Sequence, residues 1–365
     1  MDIERQRLSQ LRDRFKSFEI DALYVTKPEN VWYLSHFPGG DSFLLVTRRH
    51  CYLMTDTRYE AEAAANLLSG YQLKVKRSGE SNTSLVKQIC AKERLKHLGY
   101  EPECLTVAQY RHLKQELRTS VQLKPSYRAV EPLRLIKTPG EVALIHRACQ
   151  IIEQSLRKAL KQLKIGTQER ELAAQVEGNI KNMGSSGPSF PFIIASGKKA
   201  AYPHAQTGVQ KITNNNILLC DVGARYQAYA SDLTRTHFLG KMTPKFSDLY
   251  QTVLESQRQG IEAARVGEPI GAVDLAVRKV FRSKGLEKYF IHSTGHGIGL
   301  EVHESPTVFY KNDQLIQEGM VFTVEPGLYF PGWGGIRIED IIHITSKGPK
   351  ILYTYPSDLQ SIHLN

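Results

Sequence analysis

Acidic side chains interrupt several apolar, strand-like runs in the second half of this chain of 365 residues. Asp221 ends the run ILLCD, Glu325 follows VFTV, and Glu339 stands inside IRIEDII. Burying an unpaired carboxylate is costly, so packing alone would place valine or leucine at such positions. The fold must therefore bring these runs together around a group that compensates the buried charge, and a bound cation is the simplest such group.

Two more residues complete a candidate ligand set. Asp232 lies eleven positions after Asp221, and His296 lies in the glycine-rich segment STGHGIG. Carboxylates together with an imidazole suit divalent Mn, Co, Fe or Zn. Five ligands exceed the four of a tetrahedral zinc site and suit two ions that share bridging carboxylates. The sequence therefore predicts a metal centre formed by Asp221, Asp232, His296, Glu325 and Glu339.

Neighbouring residues offer the same chemistry at two of these positions. Asp340 directly follows Glu339, and the period-two alternation of the surrounding isoleucines does not choose between the two acids. His292 and His303 lie on either side of His296, and the chain has neither an HExxH nor a zinc-finger spacing. The residue pattern alone leaves both alternatives open.

Composition describes an ordinary globular protein. The formal net charge is +11, but the basic residues form no run of five, which favours a solvated basic surface over a nucleic-acid face. No segment approaches the roughly 18 apolar residues of a membrane span, and the charged amino terminus does not resemble a secretory signal. Five cysteines without a CxxC pair predict reduced thiols and a cytoplasmic protein. Cys220 is expected in the core, because its side chain points away from that of Asp221 on a strand.

The hydrophobic periodicity divides the chain near residue 132, and its length also favours two domains. In residues 1–132, short β-rich runs alternate with helical patterns, which predicts an α/β layer with one sheet. Residues 133–365 contain every proposed ligand. For this second domain we expect strands on the ligand runs, a hairpin in ARYQAYASD, and helices near 140–163, 168–183, 245–264 and 271–284.

Five segments, in their order and approximate spacing, resemble the Xaa-Pro peptidases (aminopeptidase P and prolidase) of the pita-bread metallopeptidase family. They are PHAQTG, DVGARYQAYASDLTRT, GHGIGLEVHE, GMVFTVEPGLY and GGIRIEDIIHIT. The first 130 residues also resemble the creatinase-type amino-terminal domain. The resemblance implies a fold of class α/β and α+β, in which a creatinase-like α/β domain precedes a pita-bread catalytic domain.

The resemblance assigns a role to each ligand. Asp221 would bind one ion, His296 and Glu325 the other, and Asp232 and Glu339 would bridge them. Two divalent ions are implied, with manganese expected first and cobalt, zinc or iron as alternatives. They would acidify the water that attacks the Xaa-Pro bond.

The resemblance also implies three catalytic residues. Glu325 would carry a proton to the leaving proline nitrogen, while His204 and His303 would hydrogen-bond the substrate or its oxyanion. Without the resemblance, His204 fits a surface histidine equally well. Arg337 is expected to orient a carboxylate that lies behind the ligands and is not itself a ligand. The implied partners are a peptide with proline at its second position and a second copy of the chain in a homodimer; neither nucleic acid nor a membrane is expected.

One departure from the family pattern bears on product preference. A dipeptidase must bind the free carboxylate of proline, and the arginine fork suits that task. Some compact prolidases carry an arginine after the VHE motif, within WPR, whereas this chain reads VHESPTVFY with Thr307 at that place. This favours an Xaa-Pro aminopeptidase (aminopeptidase P), with an Xaa-Pro dipeptidase (prolidase) as the alternative. A non-catalytic binding module is the alternative from another class, and it would show broken ligands and a basic tail.

Overall fold

The computed structural model describes residues 3–118 and 120–364. The chain divides into two compact units, the first ending at Arg134 and the second beginning at Leu135. The boundary predicted from the sequence lies two residues earlier, after residue 132. None of the described helices combines the length and the apolar character that crossing a membrane requires.

The first unit is built on one mixed sheet. Its strands are β1 Ala22–Val25, β2 Phe43–Thr47, β3 Cys51–Asp56, β4 Tyr71–Lys76, β5 His97–Tyr100 and β6 Gln122–Pro125. Its helices are α1 Ile3–Asp13, α2 Phe15–Phe18, α3 Pro28–Ser35, α4 Glu60–Ala65, α5 Asn82–Lys92 and α6 Val107–Leu117. The strand order is β4-β3-β2-β1-β5-β6, and β1 pairs antiparallel with β2 but parallel with β5. The predicted α/β layer with one sheet is confirmed, although helix α3 is not among the predicted elements.

The second unit contains four longer helices among its described residues. They are α7 Pro139–Lys161, α8 Glu169–Asn182, α9 Pro244–Ala263 and α10 Gly271–Ser283. Each agrees with its predicted range to within two residues at either end. Local chemistry explains two of the starts: Thr138 forms a capping box with Glu141 ahead of Pro139, and Thr243 caps α9 ahead of Pro244.

The strands of the second unit form several small sheets. They are β7 Gly187–Pro188, β8 Ile193–Ser196, β9 Asn216–Val222, β10 Ala224–Tyr226, β11 Tyr229–Ala230, β12 Leu233–Leu239, β13 Gly295–Gly297, β14 Glu304–Val308, β15 Val321–Val324, β16 Gly327–Phe330, β17 Gly334–Arg337, β18 Asp340–Thr345, β19 Gly348–Ile351 and β20 His363–Leu364. The predicted hairpin is β10-β11, in which Gln227 and Ala228 both have positive φ, as a two-residue turn of this kind requires. The strand predicted on the ligand run IRIEDII is wrong as a continuous element, because the chain leaves β17 after Arg337 and enters β18 at Asp340, with Ile338 and Glu339 between the two strands.

Two of these sheets carry the predicted ligands. In the sheet β20-β12-β9-β8, Asp221 lies opposite Thr234 on antiparallel strands. In the sheet β14-β13-β15-β18-β19, Val324 pairs with Asp340, so Glu325 and Glu339 leave their strands at the same end. The amide of Glu339 also donates a hydrogen bond of 3.1 Å to the carbonyl of Thr234. The ligand-bearing edges of the two sheets therefore meet.

Candidate active site

The meeting edges of the two sheets border a cavity of about 910 Å³ in the second unit. Its wall includes the apolar residues Phe190, Phe192, Ile193 and Val302. The cavity is also lined by every residue to which sequence analysis gave a role, namely Asp221, Asp232, His296, Glu325, Glu339, His204, His303, Arg337 and Thr307. Residues that are far apart in the sequence thus line the same cavity.

Three of the carboxylates are buried and only partly satisfied. Asp221, Asp232 and Glu339 are 8%, 5% and 1% exposed, respectively. Within the described residues, Oδ1 of Asp221, Oδ1 of Asp232 and Oε1 of Glu339 have no hydrogen-bond partner. Buried charged oxygens without partners are costly, and a cation bound between them would remove that cost.

The imidazole of His296 is oriented toward the same group of carboxylates. Its Nδ1 lies 3.1 Å from the carbonyl of Gly297 and can donate to it, which leaves Nε2 as the atom available to a metal. This Nε2 lies 3.3 Å from Oε1 of Glu325 and 3.7 Å from Oδ2 of Asp232. One potential ligand atom from each of Asp232, His296 and Glu339 lies within 4.8 Å of the other two.

The electrostatics of the cavity favour the binding of a cation. Burial, followed by the charges of Glu339 and Asp221, raises the pKa of Asp232 well above its usual range. Burial and the charges of Glu325 and Asp221 raise the pKa of Glu339 to about 8. Burial opposes ionisation of Glu325 as well, but the hydrogen bond and charge of His296 outweigh it and lower the pKa of Glu325 to about 2. The cluster therefore contains more carboxyl groups than its own cationic side chains can neutralise, and either protons or a bound cation must compensate them.

The donor set fits divalent metal ions. It combines three unpartnered carboxylate oxygens with an imidazole whose other nitrogen is held by a backbone carbonyl, an arrangement typical of metal-binding histidines. Carboxylate oxygen and imidazole nitrogen are ligands for the divalent transition metals named above.

Arg337 forms a hydrogen-bond network beside the candidate ligands. Its Nη2 donates to Oδ2 of Asp221 at 2.5 Å, its Nε to Oγ1 of Thr234 at 3.1 Å, and its Nη1 to the hydroxyl of Tyr329 at 2.9 Å. Thr234 in turn donates to Oε2 of Glu339 at 2.7 Å. Arg337 therefore donates directly to one candidate ligand, Asp221, and reaches a second, Glu339, through Thr234. Its partner is a candidate ligand itself and not, as expected, a carboxylate behind the ligands.

Two members of this network, Thr234 and Tyr329, are not among the residues predicted from the sequence. Thr234 lies two residues after Asp232, and Tyr329 lies four residues after Glu325. Closeness to a predicted ligand is the one sequence signal they carry. The hydroxyl of Tyr329 also lies 2.9 Å from Nε2 of His292, whose Nδ1 faces the carbonyl of Ser293.

The structure separates the ligand candidates from their neighbours. Asp340 accepts hydrogen bonds from Arg235 at 2.7 Å and from Gln257 at 2.9 Å, and it does not line the cavity. Glu339 does line it. Cys220 is fully buried and lies opposite Arg235 on the paired strand, as expected for a core position.

Two exposed histidines lie on the cavity wall. The ring of His303 makes an edge contact with that of His296, with centroids 4.2 Å apart. His204 comes from the loop that follows β8. Thr307 is exposed on β14, where its backbone pairs with that of His296. These three side chains are therefore accessible to a molecule that enters the cavity.

Comparison with known proteins identifies the family. The family model described as "Metallopeptidase family M24" matches residues 143–346. The model described as "Creatinase/Prolidase N-terminal domain" matches residues 7–136. The chain belongs to metallopeptidase family M24. This agrees with the resemblance found in the motifs, and the predicted combination of a creatinase-like domain and a pita-bread catalytic domain is confirmed.

Individual M24 relatives match over nearly their whole length. The Xaa-Pro dipeptidase of Pyrococcus furiosus is 34% identical over 95% of this chain and 97% of its own. A solved structure of an Xaa-Pro dipeptidase from Bacillus anthracis has a TM-score of 0.95 at 32% identity, covering 99% of this chain and 100% of that one. The X-Pro aminopeptidase of Thermotoga maritima has a TM-score of 0.88 at 29% identity, covering 95% and 99%. This M24 enzyme is therefore similar both to proteins named Xaa-Pro dipeptidase and to a protein named X-Pro aminopeptidase.

Proposed function

We propose that this M24 enzyme binds two divalent ions, manganese first, and hydrolyses the peptide bond between an amino-terminal residue and a following proline. The observation that carries the proposal is the set of three buried, unpartnered carboxylate oxygens of Asp221, Asp232 and Glu339, in a cavity that His296 also lines. The proposed ligands are Asp221, Asp232, His296, Glu325 and Glu339. Ions bound there would supply Lewis acidity and lower the pKa of water.

The chain's own residues would position and protonate the substrate. We assign Glu325 to carry a proton to the proline nitrogen as that nitrogen leaves. His204 and His303 are exposed on the wall and can donate hydrogen bonds to a carbonyl oxygen of the peptide. The apolar wall around Phe190 and Phe192 can accommodate the proline ring or an apolar side chain.

Two features of the cavity wall support a preference for peptides longer than two residues. Thr307 lines the wall at the place where some prolidases carry an arginine, and it offers no charge to a free carboxylate. Among the described residues that line the cavity, the one guanidinium is that of Arg337, which already donates to Asp221, Tyr329 and other groups. A dipeptide would find no unengaged guanidinium on this wall, so we propose an aminopeptidase P activity.

A dipeptidase activity is the second candidate. It is supported by relatives named Xaa-Pro dipeptidase, one of them 34% identical over 95% of this chain. The exposed imidazoles of His204 and His303 provide alternative partners for a proline carboxylate.

Turnover measurements on the manganese-loaded full chain test both candidates. An Xaa-Pro dipeptide is compared with the same sequence extended by one residue, and an Xaa-Ala-Yaa peptide serves as the control for proline specificity. Faster cleavage of the extended peptide supports aminopeptidase P, and faster cleavage of the dipeptide supports prolidase. If neither proline substrate is cleaved, the proposed function is wrong.

Elemental analysis provides a check that does not depend on activity. About two transition-metal ions per chain are expected after reconstitution. If no metal binds even after reconstitution, the non-catalytic binding module becomes the better explanation.

A further inference from the structure

One buried carboxylate holds both ends of the loop that carries His204. We call residues 196–208 the His204 segment; its residues 203–207 line the cavity. Oε1 of Glu169 accepts hydrogen bonds from the amide of Ser196 at 2.8 Å and from its hydroxyl at 3.1 Å. Oε2 accepts from Nζ of Lys199 at 2.6 Å and from the amide of Gly208 at 3.2 Å. The first and last residues of the segment therefore bind different oxygens of the same side chain.

Glu169 itself lies outside the cavity. It is the first residue of α8, it is 0% exposed, and it does not line the cavity. Its four hydrogen bonds satisfy a charge that would otherwise be expensive to bury. The four donors come entirely from the His204 segment.

The start of α8 strengthens this connection. The amides of the first helical residues have no partner within a helix and must find one elsewhere. Here the amide of Glu169 donates to the carbonyl of Gln210 at 3.0 Å, and that of Arg170 donates to the carbonyl of Gly208 at 3.0 Å. The side chain of Gln210 then returns to the carbonyl of Ser196 at 2.8 Å. The start of α8 and the two ends of the His204 segment are thus joined by hydrogen bonds.

We infer that Glu169 is a positioning residue that fixes the His204 segment and thereby holds the His204 imidazole in the cavity wall. The inference rests on the proposed function only in taking His204 to contact the substrate. Glu169 touches neither the substrate space nor the five proposed ligands, so its effect on catalysis would pass through the loop.

The variant Glu169→Gln distinguishes hydrogen bonding by the carboxylate of Glu169 from side-chain packing alone. The amide side chain has nearly the same shape, but one of its two acceptors becomes a donor. If the new NH₂ group faces Ser196, it places a donor against the backbone amide of Ser196, which is also a donor. If it faces Lys199 and Gly208, it places a donor against the ammonium of Lys199 and the amide of Gly208. In either orientation one end of the His204 segment loses its acceptor.

Hydrogen exchange tests the inference without reference to activity. In Glu169→Gln we expect the amides of Ser196 or Gly208 to exchange at least about tenfold faster than in the parent chain. The matched control is Glu101→Gln, since Glu101 is a buried carboxylate of the first unit that binds the amides of Thr26 and Lys27. The control should leave exchange in residues 196–208 unchanged. Unchanged exchange of both amides in Glu169→Gln would overturn the inference.

A double-mutant cycle with His204→Ala then tests the catalytic consequence. We expect Glu169→Gln to lower kcat for an Xaa-Pro-Yaa peptide by about tenfold to a hundredfold with two metals still bound, because small displacements of positioning groups have effects of this size. In the His204→Ala background the same change should cost less than about twofold. Fully additive losses would contradict action through His204.

The outcomes distinguish this inference from the proposed function. If the parent chain cleaves no proline peptide, the proposed function fails, whereas the exchange experiment still decides whether Glu169 holds the segment. If Glu169→Gln does not fold, Lys199→Met removes the shortest of the four contacts and is expected to accelerate exchange of the same amides by a smaller factor. No acceleration in that variant would contradict the inference.

Discussion

Arg337 and Asp221 lie 116 positions apart in the sequence and are joined by a hydrogen bond of 2.5 Å between Nη2 and Oδ2. Each side chain is buried, and the remaining nitrogens of Arg337 bind Thr234, Tyr329 and the carbonyl of Pro203. The guanidinium therefore connects strands β9, β12, β16 and β17 behind the proposed ligands. Its planar set of donors has no equivalent in lysine.

Arg337→Lys is expected to lower kcat/KM for a proline peptide by about tenfold to a hundredfold, because Asp221 and Thr234 lose a shared donor. Metal affinity, measured by titration of the metal-free protein, should fall in the same variant. The control is Arg282→Lys, which alters an exposed ion pair with Glu287 and should leave both quantities unchanged. Normal metal affinity in Arg337→Lys would contradict the orienting role.

The adjacent acids Glu339 and Asp340 should respond differently to removal of charge. Glu339→Gln is expected to reduce the bound metal to below one ion per chain, because Oε1 of Glu339 has no other partner in the described residues. Asp340→Asn breaks the buried pair with Arg235 and should lower the free energy of unfolding by about 3 kcal/mol while two ions remain bound. Metal analysis and denaturant unfolding measure the two effects. The reverse pattern would assign the ligand to Asp340.

Lys137 and Glu304 form a buried ion pair next to His303. Their side chains are 2% and 6% exposed, and Nζ lies 2.6 Å from Oε1. Removing one partner of such a pair is strongly destabilising, so Lys137→Met is expected to lower the free energy of unfolding by about 3 kcal/mol. Lys181→Met, in an exposed pair with Glu177, should change it by less than about 1 kcal/mol. Urea titration of both variants decides the matter, and equal stabilities would refute the prediction.

His237 should make the fold sensitive to mild acid. Burial, together with the charge of Arg235, lowers the pKa of His237 from 6.5 to about 4. Between these values the unfolded chain binds more protons than the folded one, so stability is full above pH 6.5 and falls as the pH drops toward 4. The loss should reach about 3 kcal/mol near pH 4.

The test is His237→Phe, which keeps a ring but removes the titrating group. Its free energy of unfolding should depend less on pH between 6.5 and 4 than that of the parent chain, whereas the exposed control His112→Phe should keep the parent's slope. Identical slopes in all three proteins would show that His237 is not the group responsible.

The helices of the second unit could be predicted closely from sequence because their starts are local. Thr138 and Glu141 form the cap of α7 within four residues, and Pro139 occupies the first turn. Helix α3 is not predicted, because short β-rich runs dominate the pattern on either side of it, although Pro28 is well suited to open a helix.

The acids of the candidate site could be found from the sequence because acids inside apolar runs are conspicuous, and the structure places them around one cavity. That they bind metal stays a prediction. The choice between Glu339 and Asp340 could not be made, since it depends on Arg235, which lies 105 positions away from Asp340. Thr234 and Tyr329 escaped prediction for the same reason. A hydroxyl becomes part of the site only through partners that the fold brings near, and local periodicity contains no information about them.

The hydrogen bond from the amide of Glu339 to the carbonyl of Thr234 has a consequence for the order of folding. It joins two sheets that each contribute only part of the proposed ligand set, so we expect that neither sheet alone binds metal with full affinity. Contacts between such distant parts of a chain form late, after local helices and hairpins. Metal capture should therefore coincide with the last stage of folding of the second unit, and newly made chains should remain inactive until their two sheets have docked.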